Sequence, residues 1–372
     1  GKGAKGGKGG PGGPTGPASC CAVFPDGKCL LVAGDEGSHI YSAESGMLLV
    51  SLGGGAGGKA KAKGKGKAGA APARTPVTCC AICPRGTWAV VAGADGAAVW
   101  DLASGAEISH LRHKSGWVNA CCAFPDGRRV LTLGADGMAM VWEAISGEQV
   151  GELEGHEGPI WDGTVTLNGA YVLTAGEDGT ARAWDAPSGR EIARVENHRG
   201  GIEGFELGAR AVVAFPDGRR ALSVGGENHC IWDIKSGKIL ARLEQTFIGG
   251  LYGCCVLPDG RCLTGGEDGI GRVWDSTSGE ELACLEGHVG PLRPGLLALH
   301  DGQHVLTTGV DGTVRIWDVG DYGGVNREVA CTGGVVRTHA AIFPDGRRVL
   351  TVGEQGAGKI WDFSEDDLRP LD

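Results

Sequence analysis

The sequence predicts an all-β fold in which short strands form eight tandem units closed into a ring. Three observations carry this. Glycine supplies 70 of the 372 residues, against roughly 7% in an average soluble protein. No glycine recurs at every third position, and 41% of residues are hydrophobic while 22% are charged, which excludes collagen and wholesale disorder and leaves a folded chain with many tight turns. An aromatic residue also recurs at Tyr41, Trp100, Trp142, Trp184, Trp232, Trp274, Trp317 and Trp361, at intervals of 59, 42, 42, 48, 42, 43 and 44.

Unit three shows the plan of each repeat. A first apolar run ends at Phe124, Pro125, Asp126 and Gly127. A second, with Val130, Leu131 and Thr132, ends at Ala135, Asp136 and Gly137; a third closes on Val141 and Trp142. A fourth follows a Ser-Gly pair, seen at 104–105, 146–147, 188–189, 236–237 and 278–279. Asp-Gly tolerates positive φ and glycine removes the steric penalty of chain reversal, so each boundary suits a hairpin. Asp follows the Trp at 101, 185, 233, 275, 318 and 362, Glu follows it at 143, and the first unit has Tyr41 and Ser42. Evenly spaced short strands with a Trp-Asp mark are what propeller blades require.

On these residues the chain resembles the WD-repeat β-propeller family over residues 19–364. The family's Gly-His pair stands intact at Gly155-His156 and Gly287-His288, and weakened at Arg112-His113 and Asn197-His198. The resemblance implies structural hydrogen-bond sets: His113, Thr132, Asp136 and Trp142; His156, Thr174, Asp178 and Trp184; His288, Thr307, Asp311 and Trp317. Unit six keeps Thr264, Asp268 and Trp274 without the His, and unit eight has Gln355 in place of the Asp. A catalytic triad is rejected, because a nucleophilic site is one constellation and these sets repeat with the blade.

The expected units lie near 19–52, 77–111, 117–153, 160–195, 201–243, 250–285, 292–330 and 335–364. Unit eight stops after Trp361 and Asp362, leaving 31 strands, so the favoured ring has eight blades with one lacking its outer strand. The alternative has seven, with Met47 to Leu52 completing the blade that ends at Trp361 and residues 20–41 left outside. The repeat's own turns within residues 20–41 favour eight. Residues 1–18 form a flexible Gly/Lys-rich tail, residues 53–76 a flexible Lys/Gly-rich inter-blade loop, and residues 365–372 a C-terminal tail.

Four cysteine pairs are adjacent: Cys20-Cys21, Cys79-Cys80, Cys121-Cys122 and Cys254-Cys255. Strand neighbours point to opposite faces, so they read as buried thiols without a disulfide framework. Cys80 and Cys83 have metal-pair spacing, but a four-ligand zinc site needs a second pair, so no metal and no cofactor are expected. No apolar run approaches the roughly 18 residues of a membrane helix, and the N-terminal segment has no hydrophobic signal core. This gives an intracellular expectation, cytoplasmic or nuclear, neither secreted nor bound to membrane. A first residue other than Met suggests a fragment, a processed product or an incomplete gene model.

The net charge of −10 conceals a partition. Residues 1–19 hold three lysines, and residues 53–76 hold five lysines and Arg74, with no acid in either. The remaining chain is strongly acidic and disfavours a body-wide nucleic-acid platform. The basic loop reads as a soluble linker, as a competitor folding over an acidic mouth, or as a contact for RNA. By resemblance, the residue after the first apolar residue of each inner strand points to the channel mouth: Thr78, Asn119, Trp161, Glu203, Tyr252, Arg293 and Arg337. Glu177, Glu267 and Glu354 precede the turn acids. Aromatics, carboxylates and arginines together make the mixed patch enriched at interaction hot spots, although Trp161 and Tyr252 would also suit packing against neighbouring blades.

The expected function is a non-catalytic scaffold or adaptor that binds a peptide or protein segment at this mouth, a basic one being suited to its carboxylates, and belongs to a larger complex. The alternatives are a subunit of an RNA-linked assembly and a propeller hydrolase or lyase. The last would need one non-repeating cluster, and His229, His300, His304 and His339 are scattered over different blades.

Overall fold

The computed structural model describes residues 18–34, 37–53, 76–114, 116–196, 208–226, 228–244, 249–292, 295–320, 326–329, 339–352, 358–362 and 369–370. Among the described residues every regular element is a strand, and 32 strands form eight antiparallel sheets of four, each in chain order. The innermost strands are Ala18–Val23, Val77–Ile82, Val118–Ala123, Ile160–Val165, Ala211–Ala214, Leu251–Val256, Leu297–Ala298 and His339–Ile342. Each touches the next, and the last touches the first. The result is an eight-bladed propeller.

The favoured count of eight blades holds, and one expectation changes. Residues 18–52 make a whole blade of their own, with Leu48–Leu52 as its outer strand, so the seven-bladed arrangement does not occur. Blade eight does not lack an outer strand: Arg369–Pro370 pairs with Trp361 and Asp362, inside the segment expected to be a tail. Two residues carry no alternating pattern to read, and a proline, which has no N–H to donate, is tolerated at a sheet edge.

The turns between the first two strands use one device repeatedly. Asp126 accepts the backbone N–H groups of Arg128 and Arg129 at 2.8 and 3.1 Å, and its other oxygen pairs with Arg129 Nε at 2.7 Å. That guanidinium lies 4.2 Å over the Phe124 ring. Asp217, Arg220 and Phe215 repeat the arrangement, as do Asp345, Arg348 and Phe343. Blade two has no acid in this turn, and Cys83 Sγ takes over, accepting from Thr87 N at 3.3 Å and Trp88 N at 3.4 Å.

Within blades, the Trp of the third strand donates to a hydroxyl on the second. Trp142 Nε1 lies 2.7 Å from Thr132 Oγ1, Trp184 Nε1 2.9 Å from Thr174, and Trp317 Nε1 2.8 Å from Thr307. The same threonines meet His113, His156 and His288 Nε2 at 2.6, 2.7 and 2.8 Å. His156 and His288 reach Asp178 and Asp311 through Nδ1 at 2.9 and 3.0 Å. His113 Nδ1 stays 3.6 Å from Asp136 without a hydrogen bond, so the blade-three set is the looser. Trp232 likewise donates to Ser223, and where the upstream His is missing Trp274 still donates to Thr264 and Trp361 to Thr351.

Candidate functional site: one rim of the ring

The inner strands of five blades begin with the same irregularity. Val118 pairs with Gly134 and Ala120 with Leu133, which leaves Asn119 unpaired. Ser19, Thr78, Trp161 and Tyr252 are left out of register in the same way. A bulge twists the strand and re-aims the extra side chain. Here the re-aimed side chains reach the adjacent blade. Thr78 Oγ1 donates to Val118 O at 2.6 Å, and Asn119 Nδ2 donates to Ile160 O at 2.8 Å.

Trp161 breaks the pattern of direct hydrogen bonds. The Arg210 guanidinium from the next blade lies 4.6 Å over its ring, while Trp161 Nε1 and Arg210 Nε, both buried, have no hydrogen-bond partner. Trp161 is thus held between blades and presents a half-buried edge. Tyr252 is also half-buried. Sheet register sets a glutamate beside each aromatic. Ile160 pairs with Gly176 and Glu177 N donates to Pro159 O, while Leu251 pairs with Gly266 and Glu267 N donates to Gly250 O. Both glutamates are exposed, as are Glu154, Glu157 and Glu244 in the loops that enter these inner strands.

The expected site therefore divides. Trp161, Tyr252, Glu177 and Glu267 come to one rim of the ring. Thr78 and Asn119 are there too, with Thr78 Oγ1 and Asn119 Nδ2 engaged in inter-blade hydrogen bonds. Glu203, Arg293, Arg337, Glu354 and residues 54–75 lie outside the described residues. The inner strand of blade five is Ala211–Ala214, so the longer interval of 48 falls ahead of that strand, and Glu203 precedes it. Arg210, not Glu203, holds the position equivalent to Trp161. Asn119 stands five residues before Phe124 and Arg210 five before Phe215, a count the sequence already offered. The same count from Leu299 and Phe343 gives Pro294 and Thr338 in place of Arg293 and Arg337.

Asp162 also escapes a reading based on apolar pattern. It follows Trp161 where other blades place Cys20, Cys79, Ala120 and Gly253. Its carboxylate accepts the Val212 N–H of the next blade at 3.1 Å. Burial pushes its pKa up to about 6, against the opposing pull of the Val212 and Gly163 N–H groups.

A cleft of about 410 Å³ is lined by Glu157, Asp178, Thr180, Arg182, Arg194 and Glu196, among others. Its arginines are already engaged: Arg182 with Asp178 at 3.0 Å and Glu191 at 2.8 Å, Arg194 with Glu196 at 2.7 Å. Burial would raise the Asp178 pKa, but hydrogen bonds from His156, Thr180 and the Glu157 N–H hold it well below the ordinary value. Among the described residues, no group of three or more His, Cys, Asp or Glu side chains is placed to hold a metal ion. Cys80 and Cys83, which share metal-pair spacing, face different environments: Cys80 packs toward blade one, and Cys83 caps its own turn. No helix among the described residues is long and apolar enough to cross a membrane.

The profile of the "WD domain, G-beta repeat" matches residues 71–101, 105–143, 147–185, 241–275 and 279–318. Curated relatives include pre-mRNA-processing factor 19 of Oryza sativa subsp. japonica, 33% identical over 92 residues, which cover 24% of this chain and 17% of that protein. Small ribosomal subunit protein RACK1y of the same organism is 27% identical over 130 residues, covering 33% of this chain and 38% of that protein. Protein groucho of Drosophila melanogaster is 34% identical over 119 residues, covering 30% and 15%. The chain thus spans well under half the length of each of these relatives. The crystal structure of the computationally designed Ika8 protein superposes with a TM-score of 0.75 at 20% identity, covering 95% of this chain and 98% of that one, a likeness of fold alone.

Proposed function

Because the chain belongs to the WD-repeat β-propeller family, we propose that it is a non-catalytic scaffold holding a basic protein or peptide segment on the rim that carries Trp161, Arg210, Tyr252, Glu177 and Glu267. The observation that carries this reading is the pairing, in blades four and six, of a bulged aromatic with an exposed glutamate at the same end of the sheet. Aromatic edges supply apolar contact, and the glutamates supply counter-charge and orientation. A closed ring presents these groups with little ordering cost, which is the mechanism of a rigid platform. No cofactor enters this mechanism. The protein acts as one subunit of a larger complex inside the cell, in cytoplasm or nucleus.

Affinity capture tests the reading, with wild type beside a Trp161→Ala, Tyr252→Ala double variant and a Glu177→Gln, Glu267→Gln double variant. The first is expected to lose the retained proteins at least tenfold. The second is expected to weaken retention and flatten its dependence on salt. An unchanged set of retained proteins with both variants sinks the proposal.

The similarity to a pre-mRNA-processing factor and to a small ribosomal subunit protein favours a second reading. In it the chain is a subunit of an RNA-linked assembly, with the six basic residues between 53 and 76 as the contact. Deleting residues 53–76 should then abolish RNA binding together with its steep salt dependence. If affinity and salt slope stay the same, that contact is excluded, as is competition by the same segment for the acidic rim.

A further inference from the structure

Neighbouring residues of an inner strand face opposite blades, and blade two has cysteine at both such positions. Cys79 faces blade three, where its Sγ lies 3.2 Å from Cys121 Sγ. Cys80 faces blade one, where it packs with Phe24, Leu31, Ile40 and Leu52 and lies near enough to the Cys20 thiol to raise its pKa. The two contacts obey one rule. Cys20 and Cys79 stand four residues before Phe24 and Cys83, the residues that open their turns, and Cys80 and Cys121 stand three before Cys83 and Phe124. Each pair thus joins the fourth position before the turn in one blade to the third in the next. Cys254 also stands three before its turn residue, Leu257, but the fourth position before Phe215 in blade five is Ala211, and Cys254 packs among apolar residues that include Ala211. All 13 described cysteines are unbridged.

We propose that Cys79 with Cys121, and Cys20 with Cys80, are two oxidation sites that a hydroperoxide closes into inter-blade disulfides, tying blades one, two and three together across their inner strands. The thiolate of one cysteine attacks a peroxide oxygen. The O–O bond breaks, the departing hydroxide leaves as water on taking up a proton, and a sulfenic acid remains. The facing thiol then attacks that sulfur, the S–O bond breaks, and hydroxide leaves as a second water with the proton of the attacking thiol. With hydrogen peroxide the balance is two thiols and one peroxide to one disulfide and two waters. Closing the Cys79–Cys121 pair requires its sulfurs to approach by about 1 Å. Cys79, Cys80 and Cys121 are half-buried, which leaves a small oxidant a path. The neighbouring Cys80 thiol and burial hold Cys20 well above the ordinary thiol pKa, and the Cys79 hydrogen bond and burial do the same for Cys121. The reaction is therefore slow at neutral pH and quickens as pH rises.

The test treats the reduced full chain with hydrogen peroxide, denatures it in N-ethylmaleimide and maps its tryptic peptides by mass spectrometry. The expected product joins the peptide holding Cys79 and Cys80 to the peptides holding Cys20 and Cys121, while Cys254 carries the maleimide. Cys121→Ser should remove the link to blade three and leave the link to blade one, and Cys122→Ser should remove neither. The oxidised wild type should melt a few degrees above the reduced form, a gap that closes in a Cys79→Ser, Cys80→Ser variant. A Cys79–Cys80 bridge, sulfinic acids without cross-links, or cross-linking of Cys254 to the same extent would each overturn the proposal. The peptide map of the wild type decides the matter even where a variant fails to fold.

Discussion

A carboxylate set between two blades is stabilised only as far as donors reach it. At Asp162 those donors are two backbone N–H groups, and they fall short, so burial leaves the pKa near 6, against about 3.9 in an unfolded chain. The folded state therefore binds more protons than the unfolded state between about pH 4 and pH 6, and this residue's contribution to stability falls as pH rises through that window. His113, whose pKa burial lowers against the pull of Asp136, acts in the opposite sense, costing stability as pH falls below about 6.5. Asp162→Asn removes only the first effect. The variant should gain about 1 kcal/mol or more relative to wild type at pH 7 and gain nothing at pH 4. Thermal melts at the two pH values check this, and an equal difference at both would refute it. The sequence displays Asp162 as an acid in a row of small residues. Its shifted titration depends on the Val212 N–H, which only the docking of blade five supplies.

At the scale of the element, glycine serves two separate ends. In the Asp-Gly turns it provides positive φ, as at Gly127, with φ of 67°. At the end of the second strand it provides space. A Cβ on Gly176 would run into the His156 ring and lie 2.9 Å from Asp178 Oδ1, and Gly134 and Gly309 stand in the same relation to His113 and His288. Gly176→Ala should thus cost about 2–3 kcal/mol through steric displacement of the hydrogen-bonded set. Gly169→Ala, at a turn with φ of 68° where the nearest atom to a Cβ would be Pro125 Cδ at an unstrained 3.9 Å, should cost about 1 kcal/mol through backbone strain alone. Urea denaturation of the two variants measures the difference, and equal losses would count against the steric account. The turn glycines are legible from their Asp-Gly neighbours. The spacing glycines are not, because their constraint comes from a histidine about 20 residues upstream.

Across the whole molecule, stability depends on closing the ring without a strand shared between the first blade and the last. Fully buried Phe343 of blade eight packs with Leu30, Val32, Tyr41 and Ala43 of blade one, while Arg348 stacks on its ring at 4.3 Å. Phe343→Ala should destabilise the protein by about 3–5 kcal/mol. Hydrogen exchange should then show faster opening of both flanking blades than of blade four. If exchange rose evenly around the ring, the seam would be no weaker than any other blade interface.

By itself, and apart from the Trp-Thr-His-Asp hydrogen-bond sets that only the family resemblance implied, the sequence determined the repeat, the four-strand plan of each blade and the presence of an aromatic near the start of two inner strands. Each of these follows from local period and turn chemistry, which a chain carries residue by residue. Tertiary structure decided what lies opposite each residue: Arg210 over Trp161, Val212 on Asp162, Cys121 against Cys79, and a two-residue strand completing blade eight. The first three contacts join positions about 40 to 60 residues apart, and their partners are fixed by blade order, bulge geometry and closure, none of which leaves a periodic mark in the sequence.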